Sequence, residues 1–600
     1  MAVVSYPGVY VEEVPSGVRP IEAAGTSTAA FFGVAERGPI NEVKKIFNFT
    51  QFQNTYGGFL RDYYLAHAVY QFFNNGGTQC YVGRIASGAQ TAGVTVLDRT
   101  EQPRLKISAS SPGLWGNHLQ VLIESGEDSD RKTNQFNLTV YRYRQGIDKR
   151  PTELEAFADL SMNPFSPSYV ENVVNSSSRH IRVEVLEENL QWDAGYSESG
   201  EIEINGEILN GVQRKFRINI HGDGYRTIDL TDALGGGAID SLEAIRQAIE
   251  STVQPLTPRD PALKKAYEDL KVEYTDETTK NQLRIISGLA SPDSKIEILS
   301  ALEETEDAAK PLKLGKRHKG TEVFGSSRMR PKDTPSDPEP DDYYLLGDDE
   351  VEDAVSAVVP GDDGTLPPSE RDYEEALHWL DTVRDVSLIA IPDGRGLPSI
   401  ADKGMNYCRG RPLSDCFFIA DMANTDVTLG NAEDFRDTIN SPNSYGAVYF
   451  PWLKMSDPTG QSSEPILAPP SGFVAGLYAR IDASRGVWKA PAGTEAMLGG
   501  TVGLAAELTD QEHGNLNKDL KSVCVIRKFP GTGIVVWGAR TLSSDPEYKY
   551  IPVRRMAIML RKSIYDGIQW AVFEPNDEGL WSQLRLNIHS FMMTLFRQGA

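Results

Sequence analysis

Cysteine is scarce in this sequence: there are four in 600 residues, Cys80, Cys408, Cys416 and Cys524, and none forms a Cys-x-x-Cys pair. That excludes a disulfide framework and a zinc site of the usual spacing, and leaves thiols that read as buried apolar groups. Long apolar runs are missing as well. The most apolar stretches, such as Gly472 to Ala479, fall well short of the ~20 residues that a membrane-spanning helix needs. The N-terminus shows no basic region followed by an apolar run and a small-residue cleavage site, so the chain is expected to fold in the cytoplasm of the cell that makes it. There is no phosphate-binding Gly-x-x-x-x-Gly-Lys loop, no Gly-x-Ser-x-Gly elbow, no His-Glu-x-x-His pair and no EF-hand loop. The eight histidines are scattered without ligand spacing. No cofactor and no metal are expected, and the case for an enzyme is poor.

Positive charge is also in deficit. Lys and Arg number 60 against 84 Asp and Glu, a formal net charge of −24, which argues against a nucleic-acid binder. The deficit is local, because Asp333 to Glu370 holds thirteen acidic residues and no Lys or Arg. Just upstream, Lys310 to Lys332 holds eight Lys or Arg against one Glu. With Pro335, Pro338, Pro340, Pro360, Pro367 and Pro368 nearby, residues 305–370 read as a charged linker or large surface loop. Its basic part could bind a polyanion, but a solvated surface beside a compensating acidic loop is the simpler reading.

A chain of this length exceeds what one core supports, and several domains are expected. Residues 1–20 read as an extended arm, with Val9 to Val14 an unpaired strand. From 21 to 90 a strand near Ser27 to Ala35, a helix over 59–74 with Leu60, Tyr64, Ala68 and Phe72 on one stripe, and a strand over 79–85 suggest a parallel α/β layer. Alternating segments then suggest a β-rich outer domain over 91–180 and a second β-rich insertion over 181–304. The α/β rhythm resumes over 371–540. The fold class expected is therefore an α/β core, multi-domain α+β, interrupted by a large β-rich insertion and preceded by a strand arm.

Two weak candidates for chemistry remain. Gly235 to Gly237 precede a helix and could cradle an anion, but Asp240 or Ser241 as a helix cap explains the turn. Glu574, Asp577 and Glu578 gather carboxylates that could do acid and base work, yet Asp577 sits where a helix starting near Gly579 needs a cap. The last part of the chain, 541–600, is more informative. Val553, Met556, Leu560 and Ile564 fall along one helical stripe, and Arg554, Arg555, Arg561 and Lys562 fall on a face away from it. A cationic face on an anionic protein suits an acidic partner. A second helix over 580–597 turns Leu580, Leu584, Ile588, Phe591 and Leu595 to one side.

Four segments give the sequence a resemblance to a known family: SYPGVYVEEV (Ser5 to Val14), SPGLWGNHLQVLI (Ser111 to Ile123), PPSGFVAGLYARIDASRGVWKAPAG (Pro469 to Gly493), and the tract from Val535 to Arg585 that includes IPVRRMAIMLRKSIYDGIQW. The chain resembles the contractile tail sheath proteins of myophage tails, R-type pyocins and extracellular contractile injection systems. The resemblance implies a structural subunit that forms a helical homo-oligomer around an inner tube protein, with baseplate and terminator or cap proteins as further partners. It implies no nucleic acid and no membrane insertion, and places the assembled product in a phage tail or phage-tail-like particle. It also implies that the arm, through Val3, Tyr6, Val9, Tyr10, Val11 and Val14, adds a strand to a neighbouring subunit. In such proteins the region matching Arg554, Arg555, Arg561 and Lys562 faces the tube, so these four are expected to be tube-facing, and charge reversal at Arg554 and Arg561 to block assembly while leaving the subunit folded. Such proteins usually run on into a C-terminal arm; the sequence reaches Ala600 first, so none is assigned.

Overall fold

The computed structural model describes residues 19–600 apart from 126–133, 145–146, 149, 188–190, 205, 335–342, 348–354, 395–396, 423–427, 461 and 519. The arm residues Val3, Tyr6, Val9, Tyr10, Val11 and Val14 lie outside the described residues. The chain forms two compact units, one from residues up to Gly88 and from Gly364 onward, the other from Ala89 to Asp363.

The first unit is built on an eight-stranded sheet. Its strands are β1 (Ala29–Gly33), β2 (Val43–Ile46), β3 (Cys80–Arg84), β4 (Leu388–Ala390), β5 (Phe417–Asp421), β6 (Gly446–Phe450), β7 (Val523–Phe529) and β8 (Gly533–Val536). They lie in the order β2-β3-β1-β4-β5-β6-β7-β8. The inner six are parallel, and β2 and β8 add antiparallel edges. Parallel strands are covered on both faces and so read as continuous apolar runs. That is what AAFFG, FFIAD and GAVYF are, with every residue buried. β1 pairs β3 on one side and β4 on the other, with Ala29 opposite both Cys80 and Leu388, so the sheet is stitched across the whole of the other unit's sequence. The mixed α/β expectation therefore holds.

Helix α1 (Leu65–Asn74) is shorter than the stripe of Leu60, Tyr64, Ala68 and Phe72 predicts. The Tyr64 N–H donates to the buried Asp393 carboxylate, which also accepts the Val34 N–H at 2.7 Å. This distant carboxylate, rather than a local cap, starts the helix, and residues 59–64 stay outside it. Helix α2 (Ser471–Arg485) crosses α1 closely because of two glycines. A Cβ on Gly472 would stand 2.4 Å from Ala68 Cα, and one on Gly476 would stand 2.5 Å from the Phe72 carbonyl oxygen. The motif SGFVAG is thus a close-packing surface.

The second unit contains two β-rich cores, nested in sequence. The outer one has strands 93–97, 103–109, 181–185 and 355–359 in one sheet and 119–125, 136–142, 152–160 and 344–345 in another. The inner one has strands 194–198, 271–274, 283–290 and 321–323 in one sheet and 215–220, 226–229 and 296–300 in another, with the helix Leu242–Val253 in its core. Two sequence readings need correction. Ile181–Val185 pairs with Leu105–Ala109, so it belongs to the outer core and not to an insertion starting at 181. The described residues of 305–370 are not a linker either. Ala308, Ala309, Leu312 and Leu314 are fully buried, Thr321–Val323 is a sheet strand, and Val355–Val359 pairs with Gly93–Val96. Of the basic residues that suggested a linker, Lys313 meets Glu203 at 3.8 Å and Lys316 meets Glu322 at 3.4 Å, while Arg330 is fully buried.

Asp421 ends β5 inside the first unit, where its Oδ1 accepts the Ser471 N–H at the start of α2 at 2.8 Å. Burial raises its pKa to about 7. A carboxyl raised in the folded state takes up protons on folding, so its favourable contribution is complete below its ordinary pKa and is lost as pH climbs toward 7. Asp421→Asn should therefore raise the thermal midpoint at about pH 8, by up to ~4 kcal/mol of stability, and change it little at about pH 4. Scanning calorimetry at the two pH values checks this; an unchanged midpoint at the higher pH contradicts it.

Candidate functional site

Helix α3 (Ile551–Gly567) opens with Pro552 in its first turn, where a missing N–H costs nothing. Its buried residues are Ile551, Arg554, Arg555, Ile558, Met559, Lys562 and Ser563. That is the inward stripe of an ordinary amphipathic helix, except that three of its members are cationic. The expected tube-facing set is therefore corrected: Arg554, Arg555 and Lys562 are buried in their own subunit, and Arg561 alone of the four is exposed. The reason is that each buried cation meets an internal partner.

Arg555 is the most fully satisfied. Its Nη1 donates to Asp482 Oδ1 at 2.9 Å, its Nη2 donates to Asp482 Oδ2 at 2.5 Å and to the Thr26 carbonyl at 2.9 Å, and the guanidinium carbon lies 4.5 Å from the Tyr478 ring centre. Thr26 Oγ1 donates to Asp482 Oδ2 at 2.6 Å. The two charged side chains are 4% and 5% exposed, so this bidentate pair is out of water on both sides. Lys562 donates to the Arg384 carbonyl and reaches Asp415 Oδ2 at 3.4 Å. Asp415 also accepts from Arg411 Nε at 2.6 Å. Burial works to raise the Asp415 pKa, but the Arg411 hydrogen bond and charge overcome it and the net shift is downward. Arg554 has no carboxylate: its guanidinium carbon sits 3.6 Å from the Tyr548 ring centre and 4.5 Å from that of Tyr445, and burial lowers its pKa. Exposed Arg561 donates to the Leu413 carbonyl at 3.1 Å and to the Tyr445 hydroxyl at 3.4 Å.

Three of the four residues on the apolar stripe of α3 turn inward. Met556, Leu560 and Ile564 are partly buried against a small cluster of Ile21, Val487, Met559, Phe591 and Leu595, while Val553 is exposed. Helix α4 (Glu578–Arg597) supplies Phe591 and Leu595 to that cluster and partly buries Ile588. Its other side, with Trp581, Leu586, Met592 and Phe596, is exposed, as are Val572 and Phe573 in the connection before it.

The remaining candidates do not assemble into chemistry. Asp577 caps α4 by accepting the Leu580 N–H at 2.8 Å, and Ser241 caps the helix after the glycine-rich turn by accepting the Ala244 N–H at 3.3 Å. That turn presents oxygens, not N–H groups, to its neighbour: the carbonyls of Gly235 and Gly237 accept from the buried Arg214 guanidinium. Among the described residues no group of three His, Cys, Asp or Glu could hold a metal ion. All four cysteines are buried, and burial pushes the Cys524 thiol up to about 12. Sequence reasoning missed Asp482 and Thr26. The one available signal was that Asp482 is the lone acid in helix α2.

Residues 369–542 match the family model of the phage tail sheath protein central domain, and residues 543–600 match that of the phage tail sheath C-terminal domain. Both tail sheath domains are thus matched within residues 369–600. The two sheath domains run without a gap and contain α2, α3, α4, Asp482, Arg555 and Lys562. A prophage major tail sheath protein of Pseudomonas aeruginosa is 30% identical over 138 residues, which are 22% of this chain and 34% of that protein. The tail sheath protein of Vibrio phage KVP40 is 25% identical over 173 residues, 28% of this chain and 25% of the phage protein. The matched segments thus span about a third or less of the length of these curated relatives. A crystal structure of a sheath tail protein from Desulfitobacterium hafniense is similar at 10% identity and a TM-score of 0.49, covering 98% of this chain and 89% of the other.

In this chain the burial pattern separates the four cations experimentally. Removing one partner of a desolvated ion pair costs about 3–5 kcal/mol, whereas an exposed pair is worth less than ~1 kcal/mol. Urea denaturation should show Arg555→Met and Asp482→Asn losing several kcal/mol and Arg561→Glu losing under about 1 kcal/mol. Equal losses at positions 555 and 561 would refute the inward assignment.

Proposed function

We propose that this chain is a structural subunit that polymerises helically around an inner tube and contracts by rearrangement of subunits, driving the tube through a target envelope. The observation that carries the reading is the uninterrupted match of residues 369–600 to the central and C-terminal domains of tail sheath proteins. The chemistry agrees with it. A sheath stores its energy as the difference between two packings of the same subunits, which needs stiff bodies and durable joints and no active site. The doubly covered parallel sheet is such a body.

In this reading the joints begin with the N-terminal segment. Val3, Tyr6, Val9, Tyr10, Val11 and Val14 add a strand to a sheet of a neighbouring copy, so that backbone hydrogen bonds link subunits while the bodies turn. Pairing of many weak links in a closed lattice makes the whole cooperative. The exposed apolar residues of α4 and of the turn before it support a subunit that is completed by assembly, since soluble monomers rarely leave such a patch in water. The inner tube, a baseplate and a terminator or cap are the remaining partners, the producer cytoplasm is the place of assembly, and the particle is a phage tail or a phage-tail-like injection system.

Negative-stain microscopy of the purified protein tests the proposal. Concentrated wild-type subunit should form hollow tubes with a regular helical repeat, and deletion of residues 1–18 should leave a folded monomer that forms none. Wild type that stays monomeric at high concentration, or a deletion variant that forms the same tubes, would count against it.

A further inference from the structure

Residues 19–28 contain no strand or helix, yet they are held in place. Ordering a residue costs about 1–2 kcal/mol, so a segment without backbone pairing stays put only where side chains hold it. Here the attachments recur every few residues. Thr26 is gripped by Asp482 and Arg555, as described above. The Ala24 N–H donates to Ser563 Oγ at 2.8 Å, and that hydroxyl in turn donates to the Met559 carbonyl at 2.7 Å. Ile21 is 8% exposed and packs so tightly on the end of α3 that a Cβ on Gly567 would stand 2.7 Å from its Cγ1. The Arg19 guanidinium carbon lies 4.5 Å from the ring centre of Trp570.

We infer that residues 19–26 form a force-transmitting tether that fastens the N-terminal segment to helix α3, with the Arg555 and Asp482 pair as its innermost fixing point. All four attachments reach α3 or the turn after it, so a pull on the preceding residues loads that helix along its length. From α3 the load has two exits into the body: Asp482 carries it to α2, and Lys562 carries it to Asp415, two residues before β5. The buried cations thus serve as rivets between the N-terminal segment and the sheet, which explains why a helix face that could have been apolar is charged. Arg555 is a positioning residue in this scheme, acting on the partner through the tether. The inference rests on the proposed assembly through the N-terminal segment, and its test separates the two.

Arg555→Met would confound loss of the tether with loss of the fold, so the informative variant is Thr26→Val combined with Ile21→Ala, which leaves the ion pair in place. Hydrogen exchange on the unassembled subunit should rise about tenfold or more at residues 19–28, while α2 and α3 stay protected. Tubes of the variant should fall apart at a lower urea concentration than wild-type tubes. Unchanged exchange at residues 19–28 overturns the tether, and so does raised exchange with tubes of wild-type durability. If wild type forms no tubes, the assembly reading fails by itself, and the exchange result still decides whether the segment is fastened as described.

Discussion

A cation taken out of water must meet a carboxylate, a carbonyl or an aromatic face, and that requirement organises the C-terminal half of the first unit. Arg555 and Asp482 satisfy it with two parallel hydrogen bonds and near-complete burial. Replacing such a pair with apolar residues of the same shape is often neutral or better for stability, so its presence here is poor evidence of a stability role. What it supplies is geometry. A bidentate guanidinium tolerates one orientation, and in this protein that orientation fixes α3 against α2 and brings the Thr26 carbonyl into the same arrangement. Lys562 and Arg411, sharing Asp415, repeat the device at the other end of the helix.

The layers above this follow from simpler forces. Continuous apolar strands require cover on both faces, and the two halves of the first unit supply it only when β1 joins β3 to β4. A large β-rich unit can then sit between those halves in sequence, because the chain leaves the core after Gly88 and rejoins it at Gly364. Asp421 and Asp393 are two of the carboxylates buried in that unit. Each spends its burial on fixing a helix start, at Ser471 and at Tyr64, where local sequence provides no side-chain cap.

Much of this was legible in the residues, and what was not has a common cause. The strands AAFFG, FFIAD and GAVYF announce a buried parallel sheet by themselves, and Asp577 announces its cap. The failures all involve partners far away in sequence. The start of α1 depends on Asp393, more than three hundred residues later. Lys310 to Lys332 reads as a solvated linker because its charge is visible, whereas the residues that cover Ala308, Leu312 and Leu314 include distant ones such as Ile202 and Phe216. The cations of α3 looked outward-facing because a helical wheel assigns charge to water unless a partner is known, and Asp482 and Asp415 lie on other elements. The motif segments from Pro469 and Val535, by contrast, lie in the region that matches the tail sheath domains, and the two interlocking faces of α2 and α3 come from them.

On the proposed assembly the segment before Arg19 joins another copy, while residues 19–26 stay fastened to their own. A density map of the assembled protein, at a resolution that traces backbone, tests this most directly. The account predicts that residues 3–14 run as a strand in a neighbouring subunit's sheet and that Thr26, Asp482 and Arg555 keep their hydrogen bonds in the same map. A map in which residues 3–14 fold back onto their own subunit, with no strand crossing between copies, would contradict it.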